Sequence, residues 1–226
     1  MDIVIARYAE DMGWLSELDD LGLSPTNIFL YNKGPPIHPD PRYTTILLDN
    51  LGRESHTYLH HVIENYDRLA DVTLFLPGSV WSRFDKWSVL CDIAKALSVQ
   101  AKSAIICHTR RDFIEKEYFF SLNNWVTTNA ENRQLHTESQ LVPSKIRPLG
   151  KWFEHHFPGE DFSTISFWGV LAVSREDIRK RPVEFYKKLL EELNYKDPEV
   201  GHYIERSWKT VFSIDNSNVL SDEGHW

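Results

Sequence analysis

The first hundred residues alternate short apolar runs with segments whose apolar residues recur at helical spacing. The runs predict strands at residues 2–6, 27–31, 43–48, 72–76 and 103–107. The helical spacings fall between them, at residues 9–18, 53–66 and 84–97. Strands that alternate with helices in this way favour a mainly parallel sheet with helices on both faces.

In the second half of the chain, the pattern of apolar residues is weak before about residue 150 and clearer after it. Residues 120–148 are rich in Asn, Thr and Gln, and we interpret them as an irregular excursion that faces the substrate. Residues 165–173 predict a strand, and Ser174 is placed to cap the helix after it. Further helices are predicted at residues 182–193 and from residue 197 onward.

The composition is typical of a globular protein and argues against binding to nucleic acid or membranes. The chain has 226 residues, of which 42% are hydrophobic and 26% charged, as in one globular domain. Its net charge of −8 leaves no surplus of Lys and Arg for phosphates, so we expect no nucleic-acid partner. No run of about 18 apolar residues exists, so we expect no membrane span. Two cysteines and no signal peptide predict a cytoplasmic protein.

Polar and small residues follow several predicted strands, at the edge of a parallel sheet where ligands bind. These residues are Arg7, Tyr8, Asn32, Lys33, Gly78 and Ser79. Cations, hydroxyls and small residues gathered at one edge suit an anionic ligand rich in hydroxyl groups. A nucleotide or a nucleotide-sugar has this chemistry.

A second candidate phosphate site lies at the start of the helix predicted at residues 53–66. Gly52 would leave the N-terminus of that helix open to a phosphate, and Arg53 would supply positive charge. Both residues therefore join the set of candidate donor-binding residues.

Three histidines on the same helix suggest a different chemistry. His56 and His60 are four residues apart and His61 follows, and two histidines at this spacing can ligate zinc. The zinc motif of such helices also carries a Glu, and position 57 is Thr instead. A metal site on these histidines stays an alternative to exposed or core-edge histidines.

The last predicted helix carries a polar stripe opposite its apolar one. Glu199, His202 and Arg206 are three and four residues apart, and Glu205 is next to Arg206. The stripe is either a solvent face with ion pairs or a catalytic face. In the catalytic interpretation Glu199 or Glu205 takes the proton of an acceptor hydroxyl, and His202 binds or shares that proton.

Trp168 stands beside Gly169 in the strand predicted at residues 165–173. A Trp next to a Gly can form a flat wall on which a sugar ring stacks, and the alternative is packing in the core. No Gly-rich phosphate loop, nucleophile elbow, Cys-x-x-Cys pair or kinase signature is present in the sequence.

Six stretches resemble a family of uncharacterised fungal, algal and viral proteins defined by a domain of unknown function. They are ARYAEDMGWL at 6–15, YNKG at 31–34, GRESHTYLHH at 52–61, VTLFL at 72–76, AVSR at 172–175 and GHYIERSW at 201–208. The resemblance covers most of the chain except roughly residues 110–160. The order of elements is similar to that of GT-A glycosyltransferases, and the chain resembles small sugar transferases of large algal viruses.

This resemblance implies one GT-A-like domain over residues 1–226, a three-layer α/β fold with a mixed, mainly parallel central sheet. Residues 1–110 would form the nucleotide-binding half, and residues 111–215 the half that faces the acceptor. The implied activity is transfer of a hexose or pentose from a nucleotide-diphosphate sugar, such as a UDP-sugar, to a hydroxyl of an acceptor glycan.

The resemblance also implies roles for the candidate residues. The donor would be held by Ala6, Arg7, Tyr8, Asn32, Lys33, Arg53, Glu54, Gly78 and Ser79. The acceptor would contact Trp168 and Arg206. The catalytic residues would be Glu205, His202 and Glu199.

The chain departs from the GT-A pattern after its fourth predicted strand. There those enzymes carry an Asp-x-Asp motif that holds Mn²⁺ or Mg²⁺ on the diphosphate, whereas this chain reads LPGS at residues 76–79. A metal could still use Asp71 or Asp85. Alternatively the cations Arg7, Lys33 and Arg53, all expected near the donor, would replace it, because guanidinium groups match phosphate geometry.

Two alternatives to a glycosyltransferase remain open from the sequence. One is a non-catalytic module that binds a nucleotide-sugar or a glycan, suggested by Ser79 where the family pattern has an acidic residue. The other is a metal-dependent hydrolase that uses His56, His60 and His61.

Overall fold

A computed structural model describes residues 1–122 and 141–222 of the protein. The strands of the described chain are β1 (Asp2–Arg7), β2 (Asn27–Asn32), β3 (Thr44–Leu47), β4 (Val72–Pro77), β5 (Ala104–Cys107), β6 (Leu141–Val142), β7 (Leu171–Ser174), β8 (Asp197–Pro198) and β9 (Val219–Ser221). Strands β6 and β8 pair with each other, and the other seven form the central sheet.

The helices of the described chain are α1 (Glu17–Asp20), α2 (Arg53–Asn65), α3 (Phe84–Ser98), α4 (Arg111–Tyr118), α5 (Leu149–His156), α6 (Arg175–Arg179), α7 (Val183–Glu191), α8 (Glu199–Arg206) and α9 (Trp208–Val211). Short 3₁₀ turns span Gly13–Ser16, Tyr66–Arg68, Gly78–Val80 and Asn216–Asn218. None of the helices within residues 1–122 and 141–222 is long and apolar enough to cross a membrane.

The central sheet is mixed and mainly parallel, as the sequence predicts. Its strand order is β3-β2-β1-β4-β7-β5-β9. Strand β7 runs antiparallel to both of its neighbours, β4 and β5, while the pairs β3–β2, β2–β1, β1–β4 and β5–β9 are parallel. One reversed strand therefore sits inside an otherwise parallel sheet, and the expected α/β class is confirmed.

Alternate residues of each strand pack on opposite faces of the sheet, because successive side chains of a strand point to opposite sides. On one face, Val4 and Phe75 belong to a core that includes residues of α2, α5, α7, α8 and α9. On the other, Ile5 and Leu76 belong to a core that includes residues of α1 and α3. The sheet is thus the middle of three layers.

Strand β7 is shorter than the strand predicted at residues 165–173. Gly169 adopts a positive φ of 63°, which turns the chain before Leu171 begins the ladder with β4. Upstream, Ile165 makes only an isolated bridge with His108. The prediction is right about the position of the strand and wrong about its start.

The helix predicted at residues 9–18 is replaced by the turn at Gly13–Ser16 and the four residues of α1. The backbone N–H groups of Tyr8 and Ala9 donate to the carboxylate of Glu10, at 2.7 and 3.1 Å, which holds this part of the chain in a turn. Further on, the Asp11 carboxylate accepts from Gly13 N. These local bonds compete with helix formation.

The C-terminal helices follow the predictions more closely. The Ser174 hydroxyl accepts from Asp177 N at 3.0 Å, so Ser174 caps α6 as expected. The last helix begins at Glu199 rather than at residue 197, because residues 197 and 198 pair as β8 with β6. Most of the excursion predicted at residues 120–148 lies outside the described residues, in 123–140.

Candidate functional site

The carboxyl ends of β1, β2, β3, β4 and β5 all open on one edge of the sheet, because these strands run in the same direction. The chain enters the reversed strand β7 at this edge too, through Trp168 and Gly169. This edge, which we call the carboxyl edge, carries most of the residues that the sequence nominates.

Arg7 connects the loops after β1 and β2. Its Nη1 donates to the side-chain oxygen of Asn32 at 2.6 Å, to Pro35 O at 3.0 Å and to Tyr8 O at 3.1 Å, while its Nε donates to Glu10 O at 2.8 Å. The side chain is buried. Arg7 and Asn32 thus lie together as predicted, and part of the guanidinium is used to hold the loops.

Gly34 brings these two loops into close contact. A Cβ at this position would lie 2.0 Å from Tyr8 O, a distance that no side chain tolerates. Tyr8 itself remains 53% exposed at the rim of the edge. The donor-binding candidates Arg7, Tyr8 and Asn32 therefore share one wall.

A cavity of about 410 Å³ opens beside this wall. It is lined by Arg7 and residues 9–13 on one side, and by residues 36–40, Arg42 and Tyr43 on the other. Ligand pockets in proteins usually measure about 300 to 1,000 Å³, so this cavity can hold a nucleoside-sized group.

Lys33 is engaged internally. Its ammonium donates to Leu51 O at 2.5 Å and to Arg53 O at 2.6 Å. Burial lowers the pKa of Lys33 to about 7, and the charge of Glu54 opposes that shift. Lys33 therefore links the loop after β2 to the loop before α2. This structural role could not be predicted from its position in the sequence.

Arg53 also has an internal partner. Its Nε donates to Asp197 Oδ1 at 3.1 Å, and Asp197 is buried. Gly52 and Arg53 both adopt positive φ, 56° and 51°. Gly52 N donates to Tyr195 O at 2.8 Å, so the N-cap residue of α2 is held by the chain around Tyr195.

Two carboxylates at the carboxyl edge, Glu54 and Glu205, interact electrostatically, and we call them the carboxylate pair. Glu54 lies in the first turn of α2 and Glu205 in the last turn of α8. The two helices are joined by a hydrogen bond of 3.3 Å from Ser55 Oγ to Gly201 O. Both carboxylates are partly exposed.

This carboxylate pair has unusual proton affinity. Burial raises the pKa of Glu205 to about 7, and the negative charge of Glu54 adds to the rise. Positive charges from α2, α3 and α8, on Arg53, Lys86 and Arg206, oppose it. A carboxylate with a pKa near neutrality can accept a proton at physiological pH, which is the property required of a general base.

Gly169 borders the same pair. A Cβ on Gly169 would lie 3.4 Å from Glu54 Cγ, and Gly169 O accepts from the Tyr58 hydroxyl at 2.7 Å. The chain just before β7 therefore lies against Glu54. Gly169 itself lacks a side chain that would fill this space.

Glu199, the other candidate base, lies in a different environment. It is fully buried, and its oxygens accept from Leu122 N at 2.9 Å and Ser144 N at 2.7 Å. Arg147 Nε lies 2.8 Å from its Oε2. Both oxygens of Glu199 are thus used to hold the chain, and the carboxylate is not presented to the edge.

His202 and Arg206, on the same helix, are also buried. Arg206 Nε donates to Glu117 Oε2 at 2.8 Å, and its guanidinium lies 3.7 Å from the ring centre of Phe120 and 4.8 Å from that of Phe167. This sandwich is a cation–π arrangement. It positions α8 rather than offering Arg206 to a ligand.

Trp168 packs into the core beneath the edge and is only 5% exposed. Its ring stacks on His108, with centroids 5.8 Å apart and planes at 26°. His108 Nδ1 pairs with Asp222 just beyond β9. The arrangement favours core packing over the sugar-stacking wall that the sequence also allows. The partner Asp222 is not foreseen from the sequence.

Gly78 and Ser79 follow β4 at the carboxyl edge, as predicted. A Cβ on Gly78 would lie 2.8 Å from Glu10 Oε2 and 3.1 Å from Ala6 O, so there is little room for a side chain where β1 and β4 end side by side. Ser79 is partly exposed, and its carbonyl accepts from the Ser82 hydroxyl at 3.1 Å.

The two carboxylates named as fallback metal ligands are both engaged in ion pairs. Asp71 precedes β4, so it lies at the opposite edge of the sheet, where it pairs with Arg175. Asp85 pairs with Arg83 at 2.9 Å. Within residues 1–122 and 141–222, no group of three or more His, Cys, Asp or Glu side chains is placed to hold a metal ion by itself.

The three histidines of α2 are not arranged around a common point. His56 and His60 stack with centroids 6.1 Å apart, whereas the Nδ1 of His61 is hydrogen-bonded to the Tyr31 hydroxyl at 2.9 Å. Burial is the main cause that lowers the pKa of all three imidazoles. Their surroundings are those of neutral rings packed at the edge of a core.

Comparison with known proteins gives a family without an assigned activity. No curated protein matches the chain. The family model described as "Protein of unknown function (DUF3431)" matches residues 3–223. Because the match covers nearly the whole sequence, the protein belongs to this family of unknown function.

Proposed function

We propose that the protein is a cytoplasmic glycosyltransferase with a GT-A-like fold. It would transfer a sugar from a nucleotide-diphosphate sugar, such as a UDP-sugar, to a hydroxyl of an acceptor glycan. The loops after β1 and β2 would hold the donor, and Glu205 would act as the base.

The architecture of the central sheet supports this proposal at the level of the fold. The GT-A resemblance implies a three-layer α/β fold with a mixed, mainly parallel sheet. The central sheet is the middle of three layers, and only one of its seven described strands is reversed. A shared fold does not fix an activity, so the residues of the site must carry the rest of the argument.

The observation that carries the proposal is that the carboxyl edge has both a cavity and a carboxylate, Glu205, whose pKa is about 7. The cavity of about 410 Å³ lies at the end of β1. Glu205 is within electrostatic reach of Glu54 and Lys86, and Glu54 lies beside Gly169, just before β7. A donor nucleotide in the cavity would place its diphosphate and sugar along the ends of β1 and β4.

The proposed reaction is a single displacement. The oxygen of the acceptor hydroxyl attacks the anomeric carbon of the donor sugar, and the bond from that carbon to the diphosphate oxygen breaks. Glu205 takes the hydroxyl proton, and the nucleoside diphosphate leaves with the bonding electrons. Because the pKa of Glu205 is about 7, this proton transfer is matched to neutral pH.

Charge on the leaving diphosphate needs compensation. Arg7 and Arg42 line the cavity, whereas Lys33 and Arg53 are bound to internal partners. No step is assigned to a divalent cation. The chain's own cations and backbone N–H groups are the proposed source of stabilisation.

Titration calorimetry with UDP, UDP-sugars and other nucleotide-sugars, with and without Mn²⁺, tests the donor site. Ile37, which lines the cavity, is the residue to change. We expect the wild-type protein to bind one nucleotide class and Ile37→Trp to lose that binding, because the larger ring fills the cavity.

Leu47→Trp is the matched control, since Leu47 is 76% exposed on β3 and outside the cavity lining. It should bind as the wild type does. Absence of binding to every nucleotide-sugar at millimolar concentration would count against the proposal.

A second function is favoured by one observation. The segment Pro77, Gly78 and Ser79 offers no carboxylate where a GT-A enzyme binds its metal. A module that binds a nucleotide-sugar without transferring the sugar would show donor binding but neither transfer nor hydrolysis. Gain of Mn²⁺-dependent turnover in Ser79→Asp would support this second function.

A further inference from the structure

Two neighbouring backbone N–H groups just beyond β1 converge on one negatively charged oxygen. Tyr8 N and Ala9 N both donate to Glu10 Oε2, at 2.7 and 3.1 Å. Successive N–H groups that point to one place in a turn form a concave site for anions. We call the N–H groups of Tyr8 and Ala9 the amide cradle. The carboxylate of Glu10 is the anion that occupies this cradle in the structure.

The amide cradle borders both the donor cavity and the end of β4. Ala9 and Glu10 line the cavity of about 410 Å³. Strands β1 and β4 are parallel neighbours with Ala6 opposite Pro77, and Gly78 follows directly. A Cβ on Gly78 would lie only 2.8 Å from Glu10 Oε2, so the chain after β4 lies close to that oxygen. The cradle is therefore at the ends of β1 and β4, where the proposed donor would place its diphosphate.

The main chain at Glu10 is held independently of its carboxylate. Arg7 Nε donates to Glu10 O at 2.8 Å, and the same guanidinium is bonded to Asn32 and Pro35 in the loop after β2. The Glu10 side chain is only partly buried, and its rotatable bonds allow other rotamers. A phosphate oxygen in place of the carboxylate would leave neither N–H donor without a charged acceptor. One anion can thus replace the other without rebuilding the loop.

We propose that the amide cradle binds a phosphate of the donor's diphosphate, and that the Glu10 carboxylate occupies it until the diphosphate takes its place. The inference rests on the proposed glycosyltransferase function and deepens it by naming the backbone groups that bind the diphosphate. Glu10 then acts as an internal competitor. It lowers the affinity for a small anion such as free phosphate, whereas the whole donor also gains contacts in the cavity.

Calorimetric titration with inorganic pyrophosphate tests the cradle on the wild type and on Glu10→Ala. We expect Glu10→Ala to bind pyrophosphate about tenfold more tightly, because neither the competing carboxylate nor its charge is present. Glu10→Gln should bind about threefold more tightly than the wild type. Its amide has no charge, but its oxygen can still accept from the cradle. This variant keeps the turn and guards against a folding defect in Glu10→Ala.

Asp11→Asn is the matched control for charge. Asp11 also lines the cavity, but its carboxylate accepts from Gly13 N at 2.5 Å, a bond that the oxygen of asparagine can keep. The variant removes one negative charge from the same cavity and leaves Glu10 in the cradle. We therefore expect its affinity for pyrophosphate to rise by about twofold or less.

Backbone amide NMR locates the bound anion. In Glu10→Ala the amide resonances of Tyr8 and Ala9 should shift and saturate as pyrophosphate is added. The amide of Gly13, which is bonded to Asp11, should shift much less. In the wild type the resonances of Tyr8 and Ala9 should shift when UDP or a UDP-sugar binds.

Three results would overturn the cradle. In the first, neither Glu10→Ala nor Glu10→Gln binds pyrophosphate more tightly than the wild type. In the second, Asp11→Asn gains as much as Glu10→Ala, so that the charge of the cavity alone explains the gain. In the third, pyrophosphate shifts other amides and leaves those of Tyr8 and Ala9 unmoved.

Failure of the cradle is distinguishable from failure of the glycosyltransferase. A wild type that binds a nucleotide-sugar while the amides of Tyr8 and Ala9 stay unmoved overturns the cradle alone. If Glu10→Ala binds pyrophosphate at these amides but no nucleotide-sugar binds to either protein, the cradle is supported as an anion site and the glycosyltransferase is overturned.

Discussion

Glu199 and Glu205 stand at the two ends of the same helix and serve opposite purposes. Glu199 is fully buried and receives hydrogen bonds from two backbone N–H groups and from Arg147. Glu205 is partly exposed, and the negative charge of Glu54 acts on it. A carboxylate whose oxygens all accept hydrogen bonds stabilises the fold. A carboxylate close to another negative charge is repelled by it, and this lowers stability. A carboxylate of the second kind is the better candidate for chemistry.

Glu199 also joins distant parts of the chain. Leu122 and Ser144, which donate their N–H groups to it, lie on either side of residues 123–140. Arg147 completes the set from the chain before α5. One carboxylate therefore fixes the position of α8 and of both flanks of that stretch.

The largest effect is expected from Glu199→Gln. The amide keeps the shape but removes the charge that Arg147 needs, and its NH₂ group would face N–H donors. We expect a loss of about 3 kcal/mol in the free energy of unfolding, as for other broken buried ion pairs. Urea denaturation at pH 7 measures it. A loss below about 1 kcal/mol would mean that the network around Glu199 contributes little.

Glu205→Gln should have the opposite sign. In the folded protein the pKa of Glu205 is about 7 rather than its ordinary 4.5, so between these values the folded state holds the proton more tightly than the unfolded state. Stability therefore falls as pH rises from 4.5 to about 7. Glutamine does not ionise, so the variant does not lose stability in this way. Its free energy of unfolding should exceed that of the wild type by about 2 kcal/mol at pH 8.

The same comparison at pH 5 supplies the control. At pH 5 Glu205 is protonated in the folded protein. The difference in the free energy of unfolding between the variant and the wild type should therefore be less than half of its value at pH 8. Denaturation curves at the two pH values measure both numbers. An equal advantage at both would show that packing, rather than the raised pKa of Glu205, explains the gain. With a donor and acceptor in hand, the variant should also lose the limb of the pH–rate profile near 7.

The sequence could predict the layers and the edge where polar residues gather. Apolar runs such as residues 2–6 and 72–76 become β1 and β4, and the carboxyl edge follows from their parallel order. The polar stripe on the last helix also marks both candidate bases. These features depend on the spacing of apolar and polar residues close together in the chain, which can be read directly from the sequence.

The sequence could not separate Glu199 from Glu205. What distinguishes them is Arg147 beside one and Glu54 beside the other, and both partners are distant in the chain. Lys33 illustrates the same limit, because its acceptors are backbone carbonyls that leave no mark in the sequence. Tertiary proximity decides whether a charged residue is structural or available.

The smallest effect is the coupling between the two carboxylates of the pair, and it tests the comparison most directly. Glu54→Gln removes the like charge while burial continues to raise the pKa of Glu205, so the variant should gain about 1 kcal/mol at pH 8. In the Glu205→Gln background the same change should gain almost nothing, because no charge is left to repel. This double-mutant cycle isolates the pairwise term. At pH 5 the coupling should disappear, since Glu205 is then protonated. An identical effect of Glu54→Gln in both backgrounds at pH 8 would show that the two carboxylates do not interact, and Glu205 would then owe its raised pKa to burial alone.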